Sequence, residues 1–207
     1  MPTPTPSQRV ILLNKPCGTV CRFGREPGKP SLADWVSVAD VYPAGRLDQD
    51  SEGLVVLTGD GPLAHRITHP GRKLGKRYWA QVEGEPTAAA LASLRVGVTL
   101  RDGPSRPVDV TAIGEPDGLW CREPPIRFRR NIPTTWLELT LHEGRNRQVR
   151  RMCAAVGYPV LRLIRCAVGP WQLAGLQPGE WRRAAVPTWL RTDRRGRRRP
   201  HRQQRGD

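Results

Sequence analysis

Three acidic side chains at alternate positions are the residues of this chain best suited to chemistry. Asp48, Asp50 and Glu52 are followed by Gly53, an order typical of the start of a calcium-binding loop. Such a loop needs a glutamate at its twelfth position, and the twelfth residue counted from Asp48 is Gly59. The calcium interpretation therefore fails. Composition and spacing alone favour acids that solvate and cap a turn.

The same acids could be imagined as the proton donor and nucleophile of a glycoside hydrolase. That reaction needs two carboxyl groups about 5 to 9.5 Å apart on opposite sides of a sugar. Acids on one short turn reach such an opposed arrangement with difficulty, so the spacing disfavours this enzyme class. Residues 54–57 follow directly as a short apolar run between glycines, which predicts a buried strand. The acidic turn is thus expected to lie fixed against the core.

Histidines and cysteines give no metal-binding pattern. His65 and His69 are four residues apart, a spacing that zinc uses, but no third ligand is evident and Pro70 follows at once. The five cysteines, at positions 17, 21, 121, 153 and 166, show no repeated pair spacing, which favours reduced thiols. The chain also lacks a phosphate loop and a dinucleotide fingerprint. We therefore expect neither a metal nor a cofactor.

The charge of the chain indicates a polyanionic partner. Its 34 Lys and Arg against 19 Asp and Glu give a net charge of +15, and 30 of the cations are Arg, which suits bidentate phosphate contacts. Residues 191–207 carry a net +6, so residues 1–190 are basic by themselves at +9. This balance favours a nucleic acid as partner.

The elements that must position the acids can be read from apolar patterns. Strands are expected near residues 10–13, 19–23, 54–57, 75–84, 96–100, 107–113, 134–141 and 159–168. Helices are expected at 31–36, 62–68 and 86–95, and another is expected to be capped by Asn146. We predict that strands 96–100 and 107–113 pair, and that residues 114–133 form a basic surface loop that is a candidate RNA contact. Residues 1–8 read as a flexible lead-in, 9–190 as one catalytic domain, and 191–207 as a disordered arginine-rich tail.

Four stretches in order resemble one known family. Gly45-Arg46-Leu47-Asp48, followed by Ser51-Glu52-Gly53-Leu54 and Leu57-Thr58, resembles the catalytic-aspartate motif of the RsuA-type pseudouridine synthases. The Lys15-Pro16-Cys17-Gly18 turn, the Lys76-Arg77-Tyr78 strand and the stretch from Glu143 to Met152 are similar to its other motifs. Together they cover roughly residues 9 to 185. The resemblance implies an α+β pseudouridine synthase fold, with a central mixed, mostly antiparallel sheet and a basic catalytic cleft.

The resemblance also implies roles for single residues. Asp48 would be the catalytic nucleophile or base, Tyr78 would lie beside the target base, Arg150 would be the basic partner of the catalytic acid, and Leu163 would form the apolar wall. Residue types alone favour core packing for Tyr78. For Arg46 they leave open both an ion pair within the turn and phosphate binding. The residues expected to bind RNA are Arg46, Lys76, Arg145, Arg147 and Arg151.

The expected activity is isomerisation of one uridine in ribosomal RNA without a cofactor. The chain is most similar to the branch of the family that lacks an N-terminal S4-type module, which favours large-subunit (23S) RNA as substrate. Small-subunit RNA or tRNA stays open as target, and so does a non-catalytic RNA-binding or ribosome-assembly protein. No uncharged apolar run reaches the ~18 residues of a membrane span, so a cytoplasmic protein, acting as a monomer without an obligate protein partner, is expected.

Overall fold

The computed structural model describes residues 9–69, 71, 74–127 and 129–191. The expected flexible lead-in at 1–8 lies outside the described residues, and so does the expected tail apart from Arg191. The boundaries predicted for the catalytic domain therefore stay predictions.

The described residues form eleven strands and three α-helices. In chain order the strands are β1 (Arg9–Lys15), β2 (Tyr42–Pro43), β3 (Glu52–Thr58), β4 (Lys76–Glu83), β5 (Thr99–Leu100), β6 (Gly103–Pro104), β7 (Asp109–Ile113), β8 (Thr134–Leu141), β9 (Val160–Val168), β10 (Trp171–Gln172) and β11 (Trp181–Ala185). The helices are α1 (Gly61–Thr68), α2 (Ala88–Val96) and α3 (Gln148–Ala155), and short 3-10 helices lie at Leu32–Asp34 and Thr188–Leu190.

Nine of the strands form one mixed sheet. Seven lie in the order β11-β1-β3-β9-β4-β8-β7, while β2 pairs with β3 and β10 with β9. Within it, β3 and β9 are parallel and every other pair is antiparallel. Gly53 faces Arg165 across the parallel pair, where a Cβ would lie 2.5 Å from the Arg165 carbonyl oxygen. Glycine at this position thus lets the two backbones approach. The predicted α+β class and mostly antiparallel sheet are confirmed.

Side-chain caps define where two of the three α-helices begin. The Asp60 carboxylate accepts a hydrogen bond from Leu63 N at the start of α1, and Thr87 Oγ1 accepts one from Ala90 N at the start of α2. The third helix differs from expectation, because its N-cap is Arg147 in the left-handed region at φ 47° rather than Asn146. Arg147 makes no side-chain capping hydrogen bond.

Two predictions about strands were wrong. Residues 19–23 form no strand, and only a bridge between Val20 and Ser31 is present there. The segment 96–100 does not pair with 107–113, because β5 turns back at once onto β6, and β7 pairs with β8 as the edge strand of the large sheet. Gly97 and Gly103 have φ near +100°, which permits the sharp turns on either side of β5.

The two faces of the sheet are covered differently. One face carries a single apolar cluster that includes Val10, Leu54, Leu63 and Ile164 under α1. The other face carries two clusters, one centred on β1 and β3 and the second on β4, β8 and β9 beneath α2 and α3. Tyr78 packs against both of these clusters. Their boundary falls at the parallel β3–β9 pair, and this is where the chain forms its cleft.

Candidate active site

A cavity of about 550 Å³ opens at this boundary, within the size range of small-molecule sites. The loop before β3, the strands β4 and β9, and the segment leading into α3 all contribute to its lining. Arg150 and Arg151 are not among the lining residues. Of the residues singled out in the sequence, the cavity brings together Arg46, Asp48, Lys76, Tyr78, Arg145, Arg147 and Leu163.

The loop that carries Asp48 is held by backbone contacts from both sides. Gly18 N donates to Gln49 O at 2.9 Å, and Ser51 N donates to Asp48 O at 3.1 Å. The ammonium group of Lys15, which is fully buried, donates to the carbonyls of Gln49, Thr19 and Pro16. Burial lowers the pKa of Lys15 to about 8. The Lys-Pro-x-Gly turn thus fixes the position of the loop. The Asp48 side chain is 32% exposed and faces the cleft.

Arg147 is a cation that lies close to Asp48. Its guanidinium donates to both carboxylate oxygens of Asp50, at 2.9 and 2.8 Å, and Nη1 lies 3.9 Å from Asp48 Oδ2. The hydrogen bond with Asp50 is the main reason that the pKa of Arg147 is raised. Partial burial acts to raise the pKa of Asp50, but the hydrogen bond from Arg147 and the charges of Arg150 and Arg147 outweigh it and hold that pKa below its usual value. Asp50 is therefore an anion that holds Arg147 next to Asp48.

Arg150 lies behind the same loop. It donates to the carbonyls of Asp50 at 3.0 Å and of Val160 at 3.1 Å, and Nη2 lies 3.4 Å from Asp50 Oδ2. Among the described residues no ion pair joins Arg150 to Asp48. Burial lowers the pKa of Arg150, while the charges of both Asp50 and Asp48 act to raise it. The two residues implied as partners are thus neighbours, with the direct contacts of Arg150 made to Asp50.

Two of the predicted RNA-binding arginines are engaged within the protein. Arg151 donates to both carboxylate oxygens of Asp102, at 2.7 and 3.1 Å. Arg145 donates to the carbonyls of Gly103 and Pro104. Both contacts hold the β5–β6 turn against the start of α3. Arg46, in contrast, is exposed, and no carboxylate within the described part of the chain pairs with it.

Sequence reasoning missed Arg165, a cation of the cavity. Arg165 is 3% exposed and donates to the carbonyls of Leu54 at 2.7 Å and Arg46 at 3.3 Å. Its Nη2 has no hydrogen-bond partner among the described residues. A charged residue within the apolar run of β9 was the available signal, because buried charges need partners.

The described residues contain neither a cluster of metal ligands nor a membrane-spanning helix. No three His, Cys, Asp or Glu side chains in them come together as metal ligands would. None of their helices combines the length and the apolar character that crossing a membrane requires. The rings of His65 and His69 lie with their centroids 4.9 Å apart on α1 and its C-cap.

Comparison with known proteins gives a consistent result. The sequence profile of the RNA pseudouridylate synthase family matches residues 9–155. The chain is 54% identical over 175 residues to ribosomal large subunit pseudouridine synthase E of Xanthomonas campestris pv. campestris, covering 84% of this chain and 94% of that protein. The protein of the same name from Vibrio vulnificus is 52% identical, over 87% of this chain and 77% of its own length.

A solved structure supports the same assignment. The crystal structure of a pseudouridylate synthase superposes with a TM-score of 0.70 at 30% identity, covering 86% of this chain and 70% of that one. The matched profile covers more than half of the chain, and the cleft lies where three of the four motifs meet. The chain therefore belongs to the RNA pseudouridylate synthase family.

Proposed function

We propose that this protein isomerises one specific uridine to pseudouridine in the RNA of the large ribosomal subunit. The observation that carries the proposal is the identity of 52–54% to two proteins named for that activity, over more than four-fifths of the chain. The net charge of +9 outside the last 17 residues supports an RNA substrate. Four motifs in family order also favour an enzyme over a binding protein, which would need charge alone.

Asp48 is proposed as the carboxylate that starts the reaction. Either its oxygen attacks C1′ of the ribose, or it takes the C2′ proton, and in both routes the bond from C1′ to N1 breaks. Both routes need the ionised form. Arg147 places a positive charge beside this carboxylate, with Nη1 3.9 Å from Asp48 Oδ2. Arg150 is proposed to act through Asp50, whose backbone and carboxylate it contacts.

Tyr78 and Leu163 are proposed to receive the uracil ring. The target nucleotide must leave its stack to reach a recessed carboxylate, and a flipped base needs surfaces to replace its neighbours. Tyr78 lines the cavity from β4 and Leu163 lines it from β9. We propose that the exposed Arg46 binds a phosphate near the flipped nucleotide. Lys76 and Arg147 are proposed to contact the RNA inside the cavity, and Arg145 and Arg151 to contact it in addition to their contacts with the β5–β6 turn.

Two variants of Tyr78 should distinguish the contribution of its aromatic ring from that of its hydroxyl group. Stacking of a base on an aromatic ring contributes about 1 to 3 kcal/mol, so Tyr78→Ala should slow single-turnover conversion by about tenfold to a hundredfold. Tyr78→Phe keeps the ring, and among the described residues the hydroxyl has no hydrogen-bond partner, so its loss should be much smaller. Equal rates for the Ala and Phe variants would contradict a stacking role.

Chemical mapping tests the proposed substrate. Purified protein is incubated with transcripts of large-subunit RNA, small-subunit RNA and tRNA, and pseudouridines are located by carbodiimide labelling and primer extension. We expect one new pseudouridine in the large-subunit transcript. Modification of another transcript would redirect the proposal to that RNA. Tight binding to all three without any pseudouridine would instead support an RNA-binding protein.

The place of action and the assembly state follow as proposals. A ribosomal RNA substrate would place the enzyme in the cytoplasm. We also propose that the enzyme acts as a monomer that needs no protein partner. Light scattering of the purified protein measures the assembly state directly.

A further inference from the structure

Two cations of the cleft form no ion pair with a carboxylate of the described residues. Lys76 and Arg165 both line the cavity, and no carboxylate of the described residues lies within 4 Å of either charged group. Burial, followed by the charge of Arg165, lowers the pKa of Lys76, so the two cations lie close enough to repel one another. Arg165 Nη2 is buried without a hydrogen-bond partner in the described residues. Such an arrangement favours an anion supplied by a ligand.

The position of Lys76 and Arg165 relative to Tyr78 indicates which part of the RNA they contact. Tyr78 is opposite Arg165 in the β4–β9 register, and Lys76 lies two residues before Tyr78 on the same strand face. Arg165 is 3% exposed, at the floor of the cavity. Phosphates of a polymer stay near the rim, where the exposed Arg46 lies, whereas the floor beside an aromatic ring suits a base. The ligand group is therefore the uracil ring rather than its phosphate.

Resting on the function proposed above, we propose that Lys76 and Arg165 stabilise the negative charge that develops on uracil when it detaches from the ribose. As the C1′–N1 bond breaks, its electron pair stays on the ring and spreads from N1 onto the carbonyl oxygens. The ring then turns and C5 bonds to C1′, either displacing the Asp48 ester or adding to the glycal while Asp48 returns the proton to C2′. C5 loses its proton and N1 gains one, so the product is an isomer.

Lys76 provides the cleaner test, because Arg165 also holds the carbonyls of Leu54 and Arg46. Removing one charge-stabilising donor from an active site typically lowers the rate by about a hundredfold or more. Lys76→Met should therefore slow single-turnover conversion by about a hundredfold with little change in RNA affinity, and Lys76→Arg should recover part of the rate. Arg77→Met is the matched control, because Arg77 lies on the opposite sheet face and pairs loosely with Glu138 at 3.8 Å.

A substrate with a better leaving group separates this role from a structural one. Fluorine at C5 withdraws electrons, so detached 5-fluorouracil carries negative charge more easily than uracil. The loss caused by Lys76→Met should then be clearly smaller when the target is 5-fluorouridine, measured as its consumption in one turnover. Equal losses on both substrates would overturn the proposal, and so would weaker RNA binding with an unchanged rate, which would indicate a phosphate contact. If Lys76→Met matches an active wild type, this inference fails while the proposed function stands.

Discussion

Asp48→Asn should abolish pseudouridine formation. Asparagine has nearly the same shape but can neither attack C1′ as an anion nor accept the C2′ proton. Loss of a nucleophile or general base lowers rates by about a hundredfold to ten-thousandfold, so we expect a loss of at least about a thousandfold in single-turnover conversion. The measurement is pseudouridine formed per minute in the modified transcript, at saturating enzyme.

The control for this variant is the same change two residues away. Asp50→Asn weakens the hold on Arg147 and Arg150 but leaves the Asp48 carboxylate in place, so it should slow the reaction much less. RNA affinity and circular dichroism of both variants should match the wild type. Wild-type modification by Asp48→Asn would rule out the proposed chemistry, and unchanged RNA affinity would then favour a binding protein.

Most strands of this fold could be predicted because the apolar pattern of a strand lies within its own residues. Residues 54–57 form an apolar run, and all of them are buried in β3. Which strands pair with one another could not be predicted as well. The segments 96–100 and 107–113 are close in sequence, yet β7 pairs with β8, because the tight turn at Asp102 and Gly103 closes β5 on β6 first. Strand partners depend on contacts distant in sequence, which the pattern of one segment does not contain.

The same difference holds for the site, where the sequence located the residues but not their contacts. The resemblance identified Asp48 and Tyr78 by their motifs and Leu163 as the apolar wall, and all three line one cavity. The choice of partners was not readable, since it depends on how α3 begins. Arg147 adopts a left-handed conformation just before the helix, and from there its side chain spans Asp50 and Asp48. A backbone angle at one residue thus decides which arginine contacts the acid.

Glu52 illustrates how far spacing can mislead. In sequence it is the third acid of the turn, but it is 1% exposed and lies on the sheet face opposite the cleft. Arg162 donates to both of its carboxylate oxygens at 2.9 Å, and Trp120 Nε1 donates at 2.7 Å. Arg122 lies 3.6 Å away and also donates to Leu161 O. This buried ion pair anchors the long loop before β8 to the sheet.

Glu52→Gln should therefore destabilise the protein strongly. Removing one partner of a buried ion pair leaves the other charge uncompensated, which costs about 3 to 5 kcal/mol. Arg162 is 6% exposed and has the Trp120 carbonyl as its other acceptor, so water cannot readily replace the carboxylate. The free energy of unfolding at neutral pH, from urea titration followed by tryptophan fluorescence, measures the loss.

Glu26→Gln is the control that separates the effect of burying an ion pair from the effect of losing one. Glu26 pairs with Arg22 and Lys29 in solvent, where ion pairs contribute little, so this variant should unfold close to the wild type. Replacing both Glu52 and Arg162 by Met should restore part of the stability lost in Glu52→Gln, because the buried Arg162 charge is then removed as well, while Arg122 keeps its hydrogen bond to Leu161 O. A Glu52→Gln protein as stable as Glu26→Gln would show that the loop is held by its apolar contacts, with Trp120 packing as the main anchor.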